Sequence, residues 1–175
     1  NDNSFDGRSG NDVINTRGGN DSITQSSGID IVDGGDGDDV FFAESGSAIA
    51  PESNGGFNLT KDGSLSSISN VESIILNSAD NSFDLNGPVS VDINGSGGDN
   101  TLNIISSNSN VDLAEAGTGD VGEVATFANF GTVNASSDSG DVLHIESSSP
   151  VVDLNANGSG VVTHKSTQFS NGDFG

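Results

Sequence analysis

Residues 7–42 read GRSGNDVIN TRGGNDSIT QSSGIDIVD GGDGDDVFF, four blocks of nine residues with no gap between them. Gly10, Gly19, Gly28 and Gly37 fall at the fourth position of each block. Asp12, Asp21, Asp30 and Asp39 fall at the sixth, and Ile14, Ile23, Val32 and Phe41 at the eighth. A fixed phase across three positions marks an internal repeat, and a repeat this short has one inward side chain per unit. Such a unit cannot bury a core alone, so the units must stack. The glycine lets the backbone take a positive φ at a tight turn. The apolar residue then starts a very short strand. Two turns and two strands make an eighteen-residue coil, and successive coils pair as parallel strands. This spacing sets Asp12 over Asp30 on one edge and Asp21 over Asp39 on the other. Stacked carboxylates repel unless a cation lies between them, and carboxylates with turn carbonyls form a hard oxygen set that suits calcium.

The pattern resembles the calcium-binding repeats of the RTX family, whose unit is G-G-x-G-x-D-x-U-x with U apolar. Residues 34–42, GGDGDDVFF, match every specified position. The other three blocks keep the Gly, the Asp and the apolar residue. Arg8, Thr16, Arg17, Gln25 and Ser26 stand where the family has glycine. The resemblance implies a calcium-filled parallel β-roll from a secreted bacterial protein. It implies several bound Ca2+ ions, held by Asp12, Asp21, Asp30 and Asp39 with backbone oxygens of Gly10, Gly19, Gly28 and Gly37. Gly35 and Asp36 join the set through backbone oxygens. Asn3 and Phe5 continue the phase upstream at the sixth and eighth positions. Asn3 is therefore a further candidate ligand, and the chain reads as a fragment that starts inside a repeat.

Composition agrees with a stacked fold. Asn, Ser, Gly and Asp make up 95 of 175 residues, which favours turns over long helices. The formal net charge is −22, with 26 acidic residues against four Lys and Arg. Nucleic acid and anionic membranes are poor partners for that surface, and no stretch reaches transmembrane length. The chain has no cysteine, so a secreted protein of this size needs another staple, and calcium would serve. The expected location is extracellular or on the cell surface.

The period breaks after Phe42. Residues 43–56 are small and polar and read as a loop or linker. From Phe57 to the end, residues 57–175, short alternating strands resume. They fall into two similar halves of about sixty residues. Residues 65–74 align with 124–133, 82–85 with 142–145, and 88–94 with 150–155. The fold class expected is all-β: a parallel β-roll or β-solenoid that continues either as wider, β-helix-like coils or as an antiparallel sandwich. Decayed echoes of the repeat occur at 95–104, with Asn100 in the Asp position, and at 136–145, with Asp141 there. Both are candidate calcium turns.

Catalytic patterns find little support. His144 and His164 have no zinc-spaced partners, and no nucleophile elbow is present. Arg8 and Arg17 are expected to neutralise neighbouring carboxylates. The expected function is a non-catalytic, calcium-stabilised structural or adhesive segment of a secreted or surface protein, not an enzyme. The alternative is a calcium-binding accessory module of a secreted protease, lipase or polysaccharide-modifying enzyme. Uncapped coil ends would allow copies to associate end to end.

Overall fold

A computed structural model describes residues 1–106, 110–115, 118–122, 125–134, 142–145, 151–154, 160–164 and 167–170. Residues 110, 112–115 and all those from 142 onward are described through their backbone alone. The described residues hold no helix. The first two coils contribute β1 (Ser4–Asp6), β2 (Val13–Asn15), β3 (Ser22–Thr24) and β4 (Ile31–Asp33). Each has three residues, about 10 Å of extended chain, and each presents one side chain inward. β1 pairs in parallel with β3, aligning Phe5 with Ile23, and β2 with β4, aligning Ile14 with Val32. Both pairings carry the eighteen-residue offset that the sequence requires. β5 (Val40–Ala43) continues the first sheet beside β3, with Phe41 next to Ile23.

The segment read as a loop, residues 43–56, is a strand entry instead. It contains β6 (Ser47–Pro51), which opens a three-stranded antiparallel meander with β7 (Phe57–Lys61) and β8 (Ser64–Ser69). The small residues that suggested a loop are an inward face: Ser47 and Ile49 are buried on β6. Pro51 closes the strand, where a missing N–H costs no central ladder bond. The last strand of the meander, β8, pairs in parallel with β4, so the stack continues through the insertion.

Single strands then resume. β9 (Ser73–Leu76) and β11 (Val91–Asn94) extend the first sheet; β10 (Ser82–Leu85) and β12 (Thr101–Ile104) extend the second, with β10 beside β6. The coil here is nineteen residues, as Ser82 pairs with Thr101. A second meander follows in the first sheet: β13 (Asn110–Glu115), β14 (Thr118–Val121) and β15 (Ala125–Ala128), with β15 on β11. β16 (Thr132–Asn134) lies on β12 and β17 (Val142–Ile145) on β13. A third meander in the second sheet comprises β18 (Val151–Leu154), β19 (Gly160–His164) and β20 (Thr167–Ser170).

The result is two facing sheets, one of nine strands and one of eleven. The sixty-residue duplication corresponds to the first and second meanders, since 65–74 covers β8 and β9 while 124–133 covers β15 and β16. The chain therefore continues as parallel coils, and antiparallel pairing enters only as inserts, not as the sandwich read as the alternative. The core is the ladder between the sheets. Ile23, Phe41, Ile74, Ile93 and Phe127 run in register along one sheet, and Val32 with Ile68, then Phe83, Leu102 and Val133, along the other. All are buried. Ile14 is half-buried against them, while Val13 and Ile31 on the outer face are 77% and 55% exposed.

Candidate metal centre

Every strand of the first coils is entered through a turn that ends in the sixth-position residue. At the fourth position Gly10, Gly19, Gly28 and Gly37 have φ of 120°, 120°, 128° and 148°, a range closed to residues with a Cβ. Backbone bonds tie each turn to the one above it: Gly10 N donates to Ser27 O at 3.0 Å and Gly19 N to Asp36 O at 2.9 Å. Arg8 and Arg17 adopt φ of 68° and 76°, in the left-handed region where Gly35 in the fourth block has 90°. The arginines thus fill a position built for glycine. Neither forms an ion pair; among the described residues the pair found is Lys61 with Asp62 at 3.8 Å.

The stacked turns bring the predicted carboxylates together in two ladders. On one edge, Asp12 N donates to Asp30 Oδ1 at 3.0 Å, and Asp30 N to Ser66 Oγ at 3.0 Å. On the other edge, Asn3 N donates to Asp21 Oδ1 at 2.7 Å, Asp21 N to Asp39 Oδ1 at 2.7 Å, and Asp39 N to Glu72 Oε2 at 2.7 Å. One oxygen each of Asp21, Asp30 and Asp39 is therefore used to cap the coil before it. The second oxygen separates the four. Asp30 Oδ2 accepts from Ser26 Oγ at 3.0 Å. Asp12 Oδ2, Asp21 Oδ2 and Asp39 Oδ2 are buried with no hydrogen-bond partner.

The orphaned oxygens of Asp12 and Asp39 lie against the start of their own turns. A Cβ placed on Gly34 would come within 2.6 Å of Asp39 Oδ2, and one on Gly7 within 2.9 Å of Asp12 Oδ2. Asp39 is fully buried and Asp21 nearly so. Burial raises the Asp39 carboxyl above its ordinary value of 3.8. The Asp21 N–H pulls it down in part, while the charges of Asp21, Glu72 and Asp38 push it further up. A buried, unpartnered carboxylate oxygen among like charges is costly, and a divalent cation would remove that cost.

The donor set is oxygen throughout. Among the described residues no three His, Cys, Asp or Glu come together, so an ion here would take one or two carboxylate oxygens and complete its shell with turn carbonyls. Calcium accepts such a mixture. Asn3 enters through its backbone, its side chain donating to Asn1 O at 2.7 Å. Gly35 lies against Arg17 O; Asp36 joins through its main chain, its N donating to Arg17 O at 2.9 Å, and its side chain is exposed.

Glu72 and Ser66 take ladder positions that the sequence reading missed. The meander removes Glu72 from the nine-residue phase, whereas Ser66 keeps that phase but offers a hydroxyl where the repeat has a carboxylate. The surviving sign is local: each directly precedes a core strand segment, as Asp39 precedes Val40. The echo at 95–104 is placed, and Asn100 does occupy the Asp position. Residues 136–141 of the second echo lie outside the described residues.

Fold and turns together define an all-β parallel roll with antiparallel inserts. No family model matches the chain, and no curated protein sequence does. Among solved structures it is similar to the crystal structure of the extracellular lipase LipA from Serratia marcescens, at 13% identity and a TM-score of 0.40. The match covers 99% of this chain and 37% of the lipase chain, so the chain spans little more than a third of that protein's length.

Proposed function

We propose that residues 1–42 form a calcium-binding roll that stiffens a secreted or cell-surface protein, and that the segment acts as a structural or adhesive element without catalysis of its own. One observation carries this reading: Asp12, Asp21 and Asp39 each bury a carboxylate oxygen with no partner, and those of Asp12 and Asp39 lie against glycines at the start of their turns. Calcium supplies two positive charges to a stack whose net charge is −22, and Asp12, Asp21 and Asp39 with turn carbonyls would hold it. Binding to the folded turns and not to the dispersed chain drives ordering by mass action. Affinities of order 10⁻⁴–10⁻³ M suit an extracellular module, so the roll orders where calcium is plentiful and stays loose where it is scarce.

The test is calorimetric titration of the full chain with calcium and with magnesium, alongside circular dichroism in chelator. Saturable calcium binding coupled to a gain of β-structure is expected, with loss of that response in the combined variant Asp12→Ala, Asp21→Ala, Asp39→Ala. Absence of calcium binding at millimolar concentration, or equal β-content in chelator, refutes it.

A further inference from the structure

The turns that follow the first meander repeat the geometry of the aspartate turns with one atom exchanged. In the turn at 95–100, Asn100 Oδ1 accepts from Asn81 N at 3.0 Å, as Asp39 Oδ1 accepts from Asp21 N. A Cβ on Gly95 would come within 2.7 Å of Asn100 Nδ2, as one on Gly34 would meet Asp39 Oδ2. The amide nitrogen of Asn100 thus stands where the orphaned oxygen of Asp39 stands. It has partners there: Asn129 O at 2.9 Å, Gly97 O at 3.2 Å and Gly98 O at 3.5 Å. Asn81 repeats the placement of the amide nitrogen one coil earlier, although its Oδ1 is buried with no partner. Its Nδ2 lies 2.6 Å from Ala79 O, 2.8 Å from Asn77 O and 2.9 Å from Asn100 Oδ1. Both residues are buried.

An amide NH2 carries donors where a carboxylate has only acceptors. At Asp39 the turn needs a positive charge from outside. At Asn81 and Asn100 the N–H dipoles supply it from within the chain. We infer that the turns at 77–81 and 95–100 are cation-independent counterparts of the aspartate turns, with the asparagine amide in the cation's place. Among the described residues, the metal requirement is thereby confined to the coils before the first meander. The later coils form a template that stands without metal, and the aspartate coils order on it when the cation arrives. This rests on the calcium reading for the first half of the chain and not for the second.

Hydrogen exchange of the full chain, followed by mass spectrometry in chelator and in calcium, separates the two claims. Amides of Ser82–Leu85 and Thr101–Ile104 should be protected in both conditions, while those of Val13–Asn15, Ser22–Thr24 and Ile31–Asp33 gain protection with calcium. If the later strands lose protection in chelator, the inference is overturned. If the early strands ignore calcium while the later ones stay protected, the calcium reading fails and the asparagine assignment stands. Substitution tests the cradle itself. Asn100→Asp should lose protection of Thr101–Ile104 in chelator and regain it in calcium, whereas Asn100→Ala should lose it in both. An Asn100→Asp chain that calcium does not rescue, or that is unaffected in chelator, also overturns the inference.

Discussion

Replacing Asp39 by asparagine should change the stability of the chain in opposite directions with and without calcium. The substitution keeps the shape of the side chain and the Oδ1 acceptor for Asp21 N. It turns that charge-assisted bond into a neutral one, at a cost of about 1 kcal/mol. Against this, it replaces a buried orphan oxygen by a donor, which recovers about 1–3 kcal/mol. It also removes the repulsion from Asp21, Glu72 and Asp38. In chelator the variant should therefore be more stable by roughly 1–2 kcal/mol, raising the thermal midpoint by about 2–8 °C for a chain of this size. In calcium the order inverts. A site with Kd of about 10⁻⁴ M gives the native chain roughly 2.7 kcal/mol at about 10 mM calcium, and the variant forgoes most of it. Paired thermal melts by circular dichroism in chelator and in calcium measure both signs. A variant that is less stable in chelator, or equally favoured in the two conditions, would refute the assignment of Asp39 Oδ2 as a cation-facing atom.

Because burial holds the Asp39 carboxyl above its unfolded value of 3.8, the folded chain binds that proton more tightly. Calcium-free stability should then be highest below that value and fall as pH rises through the raised one. Urea midpoints in chelator from pH about 4 to about 7 check this, and a rising midpoint would contradict it. Arg17→Gly relieves a left-handed residue with φ 76° and should stabilise the roll by about 1 kcal/mol; unchanged or lower stability in equilibrium unfolding would show that the arginine side chain compensates. Phe83→Ala empties a fully buried site between the sheets and should cost about 3–5 kcal/mol with or without calcium, as denaturant unfolding would measure. A loss below about 1 kcal/mol would mean that the core collapses around the gap.

How much of this was legible in the sequence depended on phase. Where Gly, Asp and an apolar residue kept a strict nine-residue spacing, the parallel pairing, the inward residues and the facing of Asp12 with Asp30 and Asp21 with Asp39 could all be read from position alone. Periodicity fails at Ala43, because an antiparallel meander adds strands without adding a coil. That is why Ser47–Pro51 read as linker and why Glu72 went unnoticed as a ladder member, while Ser66 stayed in phase but lacks the carboxylate that marks the repeat. The echo around Asn100 was visible as a position, but the partners of its side chain were not. An asparagine in the aspartate slot looks like a weakened ligand until the side-chain nitrogen is seen among three carbonyls. Asp30 shows the reverse: its phase is intact, yet Ser26 occupies the oxygen that the spacing alone would have offered to an ion.

The alternation of the meanders sets the direction of the rod. Each insert lengthens one sheet by two strands, about 10 Å along the stacking direction, while the opposite sheet gains nothing. After the first insert every crossing between sheets is slanted, since β9 and β11 connect to second-sheet strands that have moved ahead. A second insert on the same side would double that slant and shear the sheets apart. The second meander lies instead in the nine-stranded sheet and the third returns to the eleven-stranded one. Successive inserts are separated by an even number of single strands, so each lands on the face opposite the last. A wedge on one side is answered by a wedge on the other. A longer stack built on this plan could accept further inserts and still run straight.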